Sequence, residues 1–542
     1  MRRRGFLKLG AGIAAGMPSL MGGGAAAQLV SPGNLPPDLE VRPSPPTTPF
    51  LAPLQIPAIK QPINGAGLVP APDPARHQRY DEFPPAKFYE LHERAFLHTY
   101  HPELPPTPSW GYDGSVPGPT FHARYGEPFL VRRFNDLPAD HTGYGLPSTT
   151  MHLHNMHAAS ESDGFPIDFI DSGEWWDHHY CMFPAGMDPR EKLTLLWYHD
   201  HRMDFTAANV YAGLTGFCLF FDEHDTGDEN DTSPLAWRLP SGKYDVPLII
   251  HDVLFDVKGN AVFDIFNTEG FLGDKMTINR IIQPYLNVEP RKYRFRLLNG
   301  GPSRFYSMVL STGQKFVVLS NDGNMMPAPV EVDRLPMAVA NRYDLIIDFS
   351  RYRPGEHVDL VNILEQFDGG GPTGRILDPG MPMMRFNVIE ATGPDNSRIP
   401  ERMRELPPVD LSEVRAHREW DFDYTGGMWT INGKHADMMN SDADIQEGSA
   451  EIWTLRNAGS TWSHPVHIHF EEFQILEING RPIAPGSLLN SRKDTFWLGP
   501  NQTAKLFFRF RDFHGRYILH CHNVVHEDHA MMLRWDILEN LA

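Results

Sequence analysis

Cysteine is scarce in this chain: its 542 residues hold three, Cys181, Cys218 and Cys521. So few exclude a fold held by a disulfide framework. Cys218 stands in the apolar run Thr215-Gly-Phe-Cys-Leu-Phe-Phe221, where a small buried thiol is at home; a bridge to Cys181 is the alternative. Positive charge is short as well, with 48 Lys and Arg against 68 Asp and Glu and a formal net charge of -20. That balance excludes a role on nucleic acid, whose phosphates it would repel. It suits an exported, soluble protein and, among small molecules, favours cations. No apolar run approaches the ~18 uninterrupted residues needed to span a membrane. Sustained helical periods are missing too. Short alternating segments broken by Gly, Pro and Asn take their place, the pattern of β-sandwich domains with Greek-key connections.

What the chain has in number is histidine, 26 in all, and ten of these carry the functional reading. Near the C-terminus, Tyr517-Ile-Leu-His-Cys-His522 opens with a β-branched and aromatic approach that predicts a strand. Side chains alternate across a strand, so His520 and His522 share one face and Cys521 takes the other. One tripeptide then serves two metal sites with only its backbone between them. The loop beyond brings His526 and Met531 within reach of the Cys521 sulfur. A thiolate, imidazoles and a thioether form the ligand set of a blue-copper electron-transfer site.

In His464-Pro-Val-His-Ile-His469 the same parity puts His467 and His469 on one face and His464 on the other. With the two strands side by side, His464 joins Cys521, His526 and Met531, while His467 and His469 join His520 and His522. His152-Leu-His154 and His199-Asp-His201 repeat the spacing. Eight histidines in four pairs exceed what one ion takes and suit a cluster of about three. A single His-x-His is a weak signal that zinc explains in many proteins. Four at matching parity, two of them flanking or facing Cys521, argue for copper.

Met151-His-Leu-His154, Trp197-Tyr-His-Asp-His201, His464-Pro-Val-His-Ile-His469 and His520-Cys-His522 resemble the four copper-binding signatures of the multicopper oxidases. Within that family the nearest branch is that of bacterial spore-coat laccases, bilirubin oxidase and phenoxazinone synthase. The resemblance implies an all-β chain of three cupredoxin-like Greek-key domains with four coppers. A type 1 copper would be held by His464, Cys521, His526 and Met531, and a type 2 copper by His152 and His467. A type 3 pair would be held by His154, His199, His201, His469, His520 and His522. Met532 is open as axial ligand by composition; the family's spacing favours Met531. Reducing dioxygen to water consumes protons, so a buried cluster needs acids beside it. The family carries them at positions matching Asp163 and Glu527. Trp462 matches a tryptophan near the type 1 site of fungal bilirubin oxidase, with ordinary strand packing as the alternative. His157 has no role in the family. One departure stands out: Asn155 follows His154 where the family has Gly, and Asn tolerates the positive φ this implies.

In chain order, Arg3-Arg-Gly-Phe-Leu-Lys8 and the small-residue site Ala25-Ala-Ala27 read as a twin-arginine export signal over residues 1–27. Periplasmic or secreted location follows. Residues 28–76 are rich in proline and predict an extended arm. The first domain spans 77–222 and holds the first two histidine pairs. The second, 245–391, has only the isolated His251 and His357 and is assigned no copper. The third, 409–542, holds the remaining motifs, so the cluster lies between the first and third domains.

The function this implies is one-electron oxidation of phenolic or aromatic-amine donors, docked at an exposed edge of His464, coupled to four-electron reduction of O2. Bilirubin oxidase-like activity is a variant of it. A periplasmic cuprous oxidase is the competing reading, but its methionine-rich insert has no counterpart beyond Met381-Pro-Met-Met384, which reads as core. A copper-free scaffold would lack ligands, and none is lacking here.

Overall fold

A computed structural model describes residues 43–540 apart from Thr142. The expected export signal and the first part of the arm lie outside the described residues. From Ser44 the arm is extended but firmly docked. Backbone amides of Phe50 and Leu54 donate to Gln283 and Tyr285, and that of Lys60 to Thr120. Leu54 joins the core of the middle domain, so this segment ties the first two domains together.

The strands form three successive pairs of sheets, and one pairing pattern recurs in each. Lys87–His98 runs parallel to Phe129–Asn135, Asp245–Phe255 to Lys292–Asn299, and Val414–Thr425 to Ser449–Asn457. A second parallel pairing also recurs: Thr215–Phe221 on Gly118–Arg124, Ile376–Val388 on Tyr285–Val288, and Met532–Leu538 on Ala443–Gln446. Parallel neighbours among antiparallel strands require crossovers from sheet to sheet, as in a Greek key. The fold is therefore all-β, in three cupredoxin-like sandwiches.

Alternation builds each core. In His357–Leu364, Val358, Leu360 and Leu364 face inward while the residues between them are mostly exposed or half-buried. Separate apolar clusters fill the sandwiches, centred on Tyr89, Phe121 and Tyr198, on Leu248, Phe295 and Phe386, and on Trp453, Phe508 and Trp535. Each such side chain fully removed from water contributes about 1.5–3 kcal/mol. Met383 and Met384 are fully buried in the middle core, in keeping with the packing role read for them. Cys181 and Cys218 are buried free thiols; the bridge between them is not formed.

The short helix Ser160–Asp163 positions one functional residue. It ends at Gly164, with φ of 85°, and a Cβ there would stand 2.2 Å from the Met151 carbonyl oxygen. Only glycine combines that left-handed backbone with so close an approach. Asp163 is thereby pressed against the strand that carries His152.

Candidate metal centres

His464–Ile468 pairs antiparallel with Gly515–Cys521, Val466 opposite Cys521 and His467 opposite His520. In the first sandwich Met151–His154 pairs with Leu195–Asp200, His152 opposite His199. The two pairs of strands meet across the interface of the first and third sandwiches. There His152 stacks on His469 and His154 on His467, with ring centroids 3.8 and 3.7 Å apart.

All eight paired histidines are buried, none more than 1% exposed. Their nitrogens converge. Nε2 of His201 and of His469 each lie 3.3 Å from Nε2 of His520, and Nε2 of His152 lies 3.5 Å from that of His467. The outer nitrogens are held by the backbone: Nδ1–H of His152, His199 and His467 donates to the carbonyls of Asp163, Asp200 and Asp494 at 2.6, 2.8 and 2.9 Å. A carbonyl only accepts, so the proton sits on Nδ1 and the Nε2 lone pair faces inward. His154 is reversed. Its Nε2–H donates to Asp494 Oδ1 at 3.1 Å, and its Nδ1 is buried without a partner.

Nε2 of His199 and both nitrogens of His522 are likewise buried without a protein partner. Orphaned buried polar atoms cost about 1–3 kcal/mol each, and several lone pairs aimed at one space fit metal ions. Burial also keeps His199 and His201 neutral, down to about 3 and about 4, and holds His152, His154, His467, His469 and His522 well below the usual imidazole range; neutral imidazole is the form that ligates. The donor set fits copper.

Behind this group, across the backbone of Cys521, lies the second site. Cys521 Sγ stands 3.5 Å from His464 Nδ1 and 3.6 Å from His526 Nδ1. His526 Nε2–H donates to the Glu269 carbonyl at 2.9 Å, which leaves Nδ1 as the nitrogen with a free lone pair. Met531 is fully buried in the same apolar cluster as Cys521, whereas Met532 packs with Phe165, Met438 and Ile518. Trp429 stacks on His526 at 3.8 Å, and the half-buried Trp462 meets His526 edge-on at 5.7 Å. The expected exposed edge of His464 is not there: the residue is 1% exposed. Loops of the middle sandwich cover the site, and Trp462 is the group that reaches solvent.

Two stretches, residues 98–225 and 411–540, match family models described as multicopper oxidase. The chain is 33% identical to a bilirubin oxidase of Albifimbria verrucaria over 498 residues, covering 89% of this chain and 80% of that protein. It is 30% identical to a laccase of Bacillus subtilis, covering 83% and 94%. Among solved structures, a laccase from Pediococcus acidilactici superposes with a TM-score of 0.75 at 24% identity, covering 92% and 96%. This chain belongs to the multicopper oxidase family. It is a laccase-like oxidoreductase that uses copper and dioxygen.

In the oxidase, Asp163 and Glu527 bracket one group of histidines. Asp163 Oδ2 lies 2.8 Å from His469 Nδ1, Glu527 Oε2 lies 2.8 Å from His520 Nδ1, and Glu527 Oε1 lies 3.3 Å from His201 Nδ1. Their acidities diverge. Burial pushes the Asp163 carboxyl well above the usual carboxylate range. Burial opposes ionisation of Glu527 as well, but the facing His520 and His201 outweigh it and hold that carboxyl down at about 2.

Sequence reasoning missed Asp494, a third carboxylate at the cluster. It is fully buried, and Arg342 of the middle sandwich grips it at 2.7 and 2.6 Å. The available signal was the charged triplet Arg492-Lys493-Asp494 just ahead of the strand Thr495–Leu498. Asn155 has φ of 61°, so the left-handed turn after His154 is kept without glycine. Outside the two centres, His98, His179 and His529 bond to backbone carbonyls, and His157 to Asp512.

Proposed function

We propose that the oxidase takes electrons singly from phenolic and aromatic-amine donors and delivers them to dioxygen. His464, Cys521, His526 and Met531 would hold a type 1 copper, and His152 and His467 a type 2 copper. His154, His199, His201, His469, His520 and His522 would hold a type 3 pair. The observation that carries this reading is the set of buried, inward lone pairs on one side of Cys521 and the thiol with two facing imidazoles on the other. Copper supplies reversible one-electron chemistry and the affinity for dioxygen that no side chain has.

The rest falls to the chain. Trp462 offers the donor a half-exposed ring in contact with His526. Cys521 is covalently continuous with His520 and His522, so electrons need no mobile carrier between the centres. Asp163, kept protonated by burial, holds a proton beside His469. Glu527, ionised, orients His520 and His201. Burial excludes bulk water from the cluster.

The test is oxygen uptake by copper-loaded enzyme with a methoxyphenol, bilirubin, Cu(I) and Mn(II) in parallel. Fast uptake with the phenol or bilirubin supports the proposal, and dominance of Cu(I) replaces it with a copper-detoxifying oxidase. We further propose export through the twin-arginine route, supported by Arg3, Arg4 and Ala25-Ala26-Ala27. Replacing both arginines by lysine should strand the enzyme in the cytoplasm, and unchanged export would refute it.

A further inference from the structure

Two loops of the middle sandwich and a hairpin of the third frame a mouth over the Cys521 centre. The loop through Gly369-Gly370-Gly371 can lie there only because those residues lack side chains. A Cβ on Gly369 would stand 2.0 Å from the Glu269 carbonyl oxygen, and one on Gly371 would stand 2.9 Å from the Ser463 side chain. At Gly370 the same construction reaches Asp368 Oδ1 at 3.1 Å and the Trp462 ring at 3.5 Å, so carboxylate and indole flank one glycine. The other loop is tied to the metal site by backbone: the Glu269 carbonyl accepts from His526, and the Thr268 carbonyl accepts from Trp429 Nε1 at 2.6 Å.

Backbone thus fixes both loops, with buried Asn267 and Gln366 bonded inside them, and four of their side chains are left to face solvent. Phe266 is 61% exposed and Phe367 72%. Glu269 and Asp368 are exposed and meet no cation among the described residues, whereas neighbouring carboxylates are engaged. Asp421 pairs with Arg456 at 2.6 Å, and Glu365 faces Arg375 at 3.9 Å. The hairpin adds exposed Asp423, Tyr424 and Met428. Glu269 and Asp368 on the loops, with Asp423 on the hairpin, therefore make three carboxylates without a cation among the described residues at a surface of aromatic rings, and the two loop carboxylates stand closest to where Trp462 leads to His526.

We infer that Glu269 and Asp368 are specificity-determining residues that make this mouth select cationic aromatic donors over anionic ones. The inference rests on the donor class proposed above and narrows it. An aryl cation lays its ring on Trp462 and the phenylalanines, which also attract positive charge through their faces, and sets its charge beside the two carboxylates. An aryl anion of the same size meets repulsion at the same place. Rim charges of this kind act on encounter rate and salt dependence more than on packing.

The experiment compares two methoxyphenols of matched potential, one bearing a trimethylammonium and one a sulfonate group, with copper-loaded enzyme. At low ionic strength kcat/KM should favour the cation. In the double variant Glu269→Gln, Asp368→Asn that ratio should fall roughly ten-fold, and salt should shrink it in the parent enzyme. The Asp368→Asn change keeps an acceptor for the Gly370 amide, which now donates to the Asp368 carboxylate at 2.9 Å, and copper content reports that the variant is folded. An unchanged ratio in the double variant overturns the inference. Calorimetry with redox-inert benzyltrimethylammonium and benzenesulfonate gives a readout without turnover. If neither phenol is oxidised, the donor class fails. A calorimetric preference for the cation, lost in the variant, would then still uphold the mouth's selectivity, and indifference would reject it.

Discussion

Replacing Asp494 by Asn probes how the middle sandwich supports a cluster to which it gives no histidine. The carboxylate accepts from Arg342 through two nitrogens at 2.7 and 2.6 Å, from Thr495 Oγ1 at 2.9 Å and from His154 Nε2–H at 3.1 Å. Asn keeps the shape but not the charge, and it turns one acceptor into a donor. Arg342, fully buried, loses its partner, and breaking a buried ion pair in this way costs about 3–5 kcal/mol. For a chain of this size that lowers Tm by roughly 3–5 °C. If the new amide NH2 faces His154, Nε2 must accept and the proton moves to Nδ1, the nitrogen that would otherwise ligate. If it faces Arg342, donor meets donor. Thermal melts, elemental analysis and the visible spectrum should therefore show a lower Tm and fewer than four coppers per chain, with the blue colour of the Cys521 centre retained. A variant with full copper and a Tm within about 1 °C of the parent would refute the reasoning.

Asp163→Asn and Glu527→Gln should each keep their copper and lower the rate of dioxygen reduction by about 10²–10⁴-fold, read as steady-state oxygen uptake; a rate within a factor of two would remove the residue from proton handling. Met531→Leu should preserve blue absorption and raise the type 1 potential, since a weak axial thioether tunes it downward; a redox titration showing no change would place Met531 outside the site. Without copper the protein should lose stability in acid. His464 and His199 titrate at about 3 and His201 at about 4, chiefly through burial, all below their unfolded value. The unfolded chain therefore takes up protons first. The stabilisation is complete above about pH 6.5 and is lost as pH falls towards those values, at about 1.4 kcal/mol per group per pH unit. Melts of the apo-protein from pH 7.5 to 4.5 should fall steeply, and a flat Tm would contradict the burial argument.

Much of the candidate site was readable because strand parity is a local rule. Knowing only that side chains alternate, His467 and His469 could be put on the face of His520 and His522, with His464 behind them, and the register Val466 opposite Cys521 bears this out. Local alternation likewise reads as strand over residues 87–96 and 128–135, where the strands run Lys87–His98 and Phe129–Asn135. What remained hidden depends on distant partners. Arg342 and Asp494 are 152 positions apart, and no local pattern pairs them. Parity says which face His464 occupies but not whether Glu269 and the loop at Gly369 close over that face. For the same reason Trp462, open to two readings in the sequence, acquires its place at the mouth only when the loops are seen around it.

The account rests on two metal centres divided by a single residue, and Cys521→Ser tests it most directly. Copper content and the visible spectrum of this variant should be compared with those of the parent enzyme. The parent should hold four coppers and be blue. The variant should be colourless and hold three, because His520 and His522 face the other centre and their outer partners are untouched. Loss of all copper, or of none, would contradict the division.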